Sequence, residues 1–129
     1  MNSKSVVLSA LMLAASVSSP TFAQQAPDPQ VRLAEIDIDP TQLESYKAAL
    51  KEEIDASVRA EPGVLALYAV AEKGNPTRIR VFEIYANQEA YEAHLETAHF
   101  KKYKSVTQDM VKSLKLIETV PIMLEAKGK

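Results

Sequence analysis

The chain has no cysteine and no tryptophan, only three glycines and only two histidines. Each scarcity removes a class of explanation. Without cysteine there is no disulfide frame and no thiolate to hold zinc or an iron–sulfur cluster. The glycines of the folded region are only Gly63 and Gly74, so neither a G-x-G-x-x-G turn nor a phosphate loop can be built, and no motif for a bound cofactor is present. Lys and Arg number 15 against 17 acidic residues, and the basic residues form no stripe, which argues against a nucleic-acid partner. Stability has to come from packing, with help from oligomerisation.

The N-terminus reads as a secretory signal peptide over residues 1–23. Lys4 supplies a positive start, Val6 to Val17 an uncharged and mostly apolar run, and Thr21-Phe22-Ala23 a small-x-small cleavage site. A membrane-spanning helix needs about 20 apolar residues, and here Ser18, Ser19 and Pro20 interrupt the run first. The expectation is a periplasmic or secreted protein with no membrane attachment after cleavage. Residues 24–30, QQAPDPQ, read as a flexible leader, and residues 31–129 as one domain.

Within that domain strand-like and helical patterns alternate. Val31 to Ile38 is a weakly alternating strand. Asp39-Pro40 opens a helix with a cap and a proline at its first position, with Gln42 placed as in a capping box. Leu43, Tyr46, Leu50, Ile54 and Val58 recur at helical spacing until Glu61-Pro62-Gly63 ends the pattern. Val64 to Lys73 and Arg78 to Ala86 read as a hairpin around Gly74-Asn75-Pro76-Thr77. Asn87 caps a helix carrying Tyr91, His94 and Leu95. Thr97 caps a second piece with Phe100, Tyr103, Thr107, Met110 and Val111 along its stripe, and Leu114 to Leu124 is the last strand. The order is β-α-β-β-α-β with a split second helix, an α+β ferredoxin-like plan.

The strands carry apolar residues on both faces. Leu114, Leu116, Val120, Ile122 and Leu124 oppose Ile117 and Met123, and Val64, Ala66 and Val70 oppose Leu65, Leu67 and Ala71. Two crossover helices cover one face, so the other is expected to meet a second copy in a homodimer.

Val81 to Phe100, VFEIYANQEAYEAHLETAHF, resembles the core motif of the antibiotic biosynthesis monooxygenase (ABM) family, through Glu83, Tyr85, His94-Leu95 and His99-Phe100. Glu61-Pro62-Gly63 and Asn75-Pro76-Thr77 extend the resemblance, which spans Val31 to Leu124. It implies a dimeric α+β barrel in which two sheets face each other and each subunit has its own pocket between sheet and helices. The family also contains isomerases, haem-degrading enzymes and members without assigned activity, so the resemblance is informative about fold and much less so about reaction.

Several residues are candidates for chemistry. His94 is either a base or hydrogen-bond partner for a substrate oxygen, or a histidine satisfied within the fold. His99, beside the helix restart, favours a structural role. On a continuous helix the two rings stand some 140° apart, which disfavours a metal pair, and no metal site is expected. Glu83 interrupts the apolar face of Ile79, Val81 and Tyr85. If buried, its pKa rises and it can take protons at neutral pH; otherwise it pairs with Arg78 or Arg80 of a neighbouring copy. Glu35 and Glu118 have comparable strand settings. Tyr68, Tyr85, Tyr91 and Tyr103, with His99 and Phe100, either line a pocket for a planar ring or belong to the core. Lys101, Lys102, Lys104 and Lys112 read as a solvated helix face.

The resemblance points to a cofactor-independent monooxygenase that uses dioxygen on a small aromatic quinol or phenol, with no cofactor of its own. The competing readings are a cofactor-free isomerase moving a proton next to a carbonyl, and a non-catalytic dimer that binds a small ligand. Haem degradation is disfavoured, because haem-degrading relatives typically place a tryptophan in the pocket.

Overall fold

The computed structural model describes residues 14–16 and 29–128; the expected signal peptide and most of the leader lie outside the described residues. From Gln30 onward the chain forms β1 (Gln30–Ile38), α1 (Leu43–Ala60), β2 (Val64–Glu72), β3 (Asn75–Tyr85), α2 (Gln88–Leu95), α3 (Ala98–Thr107) and β4 (Val111–Thr119). The strands lie in the order β2-β3-β1-β4 and every pairing is antiparallel, so the ferredoxin-like arrangement with a divided second helix is the observed fold.

Local chemistry sets most boundaries. Asp39 Oδ1 accepts from the backbone N–H of Thr41 at 2.9 Å and from its hydroxyl at 2.8 Å, closing a 3-10 turn, Pro40–Gln42, ahead of α1. Gln42 does not complete a capping box; its Nε2 reaches across to the carbonyl of Asp109 at 3.3 Å. Gly74, at φ 91°, makes the β2–β3 turn, a conformation that would strain any residue with a Cβ. Pairing with β2 carries β3 back to Asn75, three residues before the expected Arg78, because Pro76 lies beyond the part of β3 that pairs with β1 and no ladder bond to β1 is lost. Gly63 has a different reason to be glycine: a Cβ there would lie 2.5 Å from Ala90 Cβ, so α2 could not sit so close to the start of β2.

All three helices pack on one sheet face. Ala34, Ile36, Ile38, Ile79 and Val81 meet Tyr46 and Leu50 of α1, and Val64, Leu67 and Tyr85 form a second apolar cluster against Ala90 and Tyr91 of α2. Burying a side chain such as Leu50 contributes about 1.5–3 kcal/mol. The α1 stripe differs from its apolar spacing: Val58 is 47% exposed, whereas Glu53 and Ser57 are buried. Ser57 is bonded within α1 to Glu53, and Glu53 in turn faces His94 of α2.

Two strand assignments are corrected. A bulge between Val64 and Ala66 puts Val64 and Leu67 on the same, helix-facing side and sends Ala66, Tyr68 and Val70 to the other. Helix α3 ends at Thr107, and Val111 begins β4, whose register reaches only Thr119; Met110 and Val111 therefore pack against the core from the turn and strand. Val120, Ile122, Met123 and Leu124 follow the sheet without joining it, and Ile122 is fully exposed.

The outer sheet face carries a cross-strand apolar row, Tyr68 opposite Phe82, Phe82 opposite Leu33 and Leu33 opposite Ile117. Tyr68 is 60% and Phe82 47% exposed. Beside this row lie ion pairs of Arg80 with Glu35 at 3.8 Å and Arg78 with Asp37 at 3.7 Å. Among the described residues no helix covers this face.

Candidate active site

On the helix-facing side the register produces one polar row in an apolar surface: Leu67 beside Glu83, Glu83 beside Arg32, and Arg32 beside Glu118. Arg32 is buried. Its guanidinium lies over the Tyr91 ring, 3.6 Å from the centroid, and its Nη2 is 3.2 Å from Glu118 Oε1, while its buried Nε has no hydrogen-bond partner among the described residues. Glu83 accepts a 2.6 Å hydrogen bond from the Tyr85 hydroxyl. Burial pushes the Glu83 carboxyl above the ordinary carboxylate range, and the Tyr85 hydrogen bond and the nearby His94 only partly offset this.

A cavity of about 90 Å³ lies above this row, between sheet and helices. Glu83 and Arg32 line its floor, His94, Tyr91, Phe100 and Tyr103 line its helical side, and Glu53 reaches it from α1. Its rim includes Lys104, Leu114 and Leu116, the leucines being 44% and 52% exposed. Tyr103 is fixed from behind by a 2.6 Å hydrogen bond between its hydroxyl and that of fully buried Tyr46, and burial raises the pKa of both phenols.

His94 is only 2% exposed and stands between two carboxylates. Its Nδ1 is 2.9 Å from Glu61 Oε2 and its Nε2 3.4 Å from Glu53 Oε1. Glu61 Oε2 also lies 2.6 Å from His99 Nε2. Burial alone would raise the Glu61 carboxyl, but the hydrogen bonds from His94 and His99 outweigh it and hold the group below its usual range. Ser57 Oγ donates to the carbonyl and to Oε1 of Glu53, at 2.8 and 2.7 Å. Glu53, Ser57 and Glu61 are four residues apart in turn, so helical geometry aligns them into one polar stripe.

The convergence of the two histidines overturns the spacing argument for their separation. The helix does not continue between them: Thr97 Oγ1 donates to the His94 carbonyl at 2.7 Å and accepts from Phe100 N–H at 3.3 Å, ending α2 and starting α3. The imidazole centroids are consequently 6.3 Å apart. Glu53, His94 and His99 each place one ligand atom within 4.8 Å of the others, a set that could hold a divalent metal although the spacing argument disfavoured it. His94 Nδ1 and His99 Nε2 are, however, already engaged by Glu61.

The other candidates separate clearly. Tyr91, Phe100 and Tyr103 line the cavity with Glu83 and His94. Tyr85 is fully buried below and acts on Glu83 rather than on the cavity. His99 lies outside this lining, in the Glu61 network and beside a smaller groove. Tyr68 is corrected outright, since the β2 bulge places it on the opposite sheet face. Arg78 pairs with Asp37 and Glu72, Arg80 and Glu35 with each other, and Glu118 with Arg32, so none of these charges pairs with Glu83 within the chain. Lys101 and Lys102 pair with Glu96 and Glu52 on the surface, whereas Lys104 reaches the cavity rim. Sequence reasoning overlooked Arg32, Glu53 and Glu61. A charged residue on the apolar side of β1 and a second carboxylate one helical repeat before Ser57 were the available signals.

Comparison with known proteins agrees with this architecture. The family model described as antibiotic biosynthesis monooxygenase matches residues 29–106. A Bacteroides thetaiotaomicron protein assigned to the antibiotic biosynthesis monooxygenases is 53% identical, with a TM-score of 0.76 over 81% of this chain and 100% of that one. A Lactobacillus acidophilus protein assigned as a monooxygenase is 32% identical with a TM-score of 0.71, over 74% of this chain but 45% of its own length. A Nitrosomonas europaea protein, 23% identical over 73% of this chain and 90% of its own, shares the fold with a TM-score of 0.69. No curated protein matches. By the family model and by its identity to the Bacteroides protein, the chain belongs to the antibiotic biosynthesis monooxygenase family.

Proposed function

We propose that this protein is an exported, cofactor-independent monooxygenase acting on a small electron-rich quinol or phenol. Family membership supports a general monooxygenase-like function; the substrate class and export are our reading. The observation that carries it is Glu83, a half-buried carboxyl with a raised pKa that lines one cavity with His94 among the rings of Tyr91, Phe100 and Tyr103. A carboxyl raised in this way is a stronger base than an ordinary carboxylate, and a quinolate is a far better electron donor than a quinol. The quinolate reduces dioxygen, one oxygen atom bonds to the ring and the other leaves as water. A quinol and dioxygen thus give a hydroxyquinone and water, and the substrate itself supplies every electron. Arg32 favours the negative charge that develops on the substrate oxygen, and His94 is the second proton acceptor of the site. The aromatic and apolar lining holds the ring in place.

The proposal includes a homodimer joined through the outer sheet face. The Tyr68–Phe82–Leu33–Ile117 row supports it, because a contiguous exposed apolar row marks an association surface.

Oxygen consumption with a panel of benzoquinols and naphthoquinols tests the reading. Uptake matched one to one by hydroxyquinone, with label from isotopic dioxygen in the ring, is the expected result. Ligand binding without oxygen uptake, or proton exchange next to a carbonyl without it, would replace this function by a binding module or an isomerase.

A further inference from the structure

We infer that Glu61 is the positioning residue of this site: it fixes the tautomer and ring orientation of His94, with His99 as the second anchor of the same carboxylate oxygen. The consequence for turnover rests on the proposed use of His94 in the cavity. The tautomer itself is a separate property of the fold.

The geometry is specific. Glu61 follows the last residue of α1, its backbone N–H bonded to the Ser57 carbonyl at 3.0 Å, and Pro62 prevents the helix from continuing. Its carboxylate is thereby set at the junction of α1, α2 and α3. An ionised carboxylate only accepts hydrogen bonds, so with Oε2 at 2.9 Å from His94 Nδ1 and 2.6 Å from His99 Nε2, both nitrogens carry protons. A neutral His94 has one proton for two carboxylates: Glu61 Oε2 is the closer, while Glu53 Oε1 stands 3.4 Å from Nε2 and already accepts from Ser57, so the Nδ1–H tautomer is selected. The second ring nitrogen of a histidine is commonly set in this way by a carboxylate on the first. His99 is 22% exposed at its side chain and His94 is 3%, so the unit runs from solvent to cavity wall. The other ionisable groups around it are Glu53 from α1, Glu83 and Tyr85 from β3 and Arg32 from β1.

Any carboxylate bonded to Nδ1 fixes the tautomer, so the split between kcat and KM is what separates positioning for turnover from a structural bond. Long-range imidazole nitrogen–proton spectra of the full mature protein at alkaline pH read the tautomer directly. His94 protonated on Nδ1 and His99 on Nε2 is the expected pattern. Glu61→Leu should move the His94 proton to Nε2, and should lower kcat at least about 10²-fold with KM changed less than about twofold, for any quinol the wild type oxidises. Glu61→Gln, whose amide oxygen still accepts, should keep the tautomer. His94 protonated on Nε2 in the wild type, or an unchanged tautomer in a folded Glu61→Leu variant, would overturn the inference. Should Glu61→Leu not fold, the wild-type spectrum still decides. The two readings fail separately: the expected tautomers with no quinol oxidation sink only the function, and oxidation with the opposite tautomer sinks only the positioning role.

Discussion

Glu83 and Tyr85, two residues apart on one strand face, are joined by a 2.6 Å hydrogen bond that runs beneath the cavity floor. The phenol supplies a donor to a carboxylate that burial otherwise destabilises, so Glu83 can be ionised in the folded protein at an energetic cost. Its chemistry and its cost to stability have the same origin.

Glu83 and Glu61 should have opposite effects on stability as pH changes. The folded pKa of Glu83 is raised, so the native state binds more protons, and stability falls as pH rises from the ordinary 4.5 through the raised value. Glu61 is lowered, so its contribution is present above 4.5 and is lost as pH falls through the folded value. Glu83→Gln keeps an acceptor for Tyr85 and should raise the unfolding midpoint at pH 7 while leaving it nearly unchanged near pH 4. Glu61→Gln should flatten the acid limb. Urea unfolding across about pH 3 to 8 measures both. A less stable Glu83→Gln protein at pH 7 would mean that the carboxylate is well accommodated.

Oligomeric state follows from the outer face. Sedimentation at micromolar concentration should give twice the mass of the mature chain. Phe82→Asp, placed in the centre of the apolar row, should shift it to monomer without loss of helix signal. A monomeric wild type would show that the row is not an interface.

Export is read from Lys4, the Val6 to Val17 run and Thr21-Phe22-Ala23. N-terminal sequencing of protein from its native compartment should begin at Gln24. A cytosolic product retaining Met1 would contradict it.

The apolar periods that define α1, the hairpin and β1 are local, and for that reason they were legible in the sequence. So was Glu83, because one acid on the Ile79–Val81–Tyr85 face needs no partner to be noticed. The Glu61 network was not, since its carboxylate meets residues 33 and 38 positions away. Its geometry also depends on the break at Thr97, which turns a separation of some 140° into convergence. Tyr68 was misplaced because a one-residue bulge reverses the faces of a strand, and no residue type announced it. Met110 and Val111 continued the α3 stripe in apolar character, so the start of β4 was hidden.

The proposed oxidation in this cavity requires Glu83 and His94 to move protons. The most direct measurement compares oxygen uptake by the wild type with that of Glu83→Gln and His94→Ala, each shown to be folded and in the wild-type oligomeric state, on a quinol the wild type oxidises. Losses in kcat of about 10²- to 10⁴-fold are expected for each. Full activity in both variants would contradict it, leaving the fold and the family while removing the catalytic site.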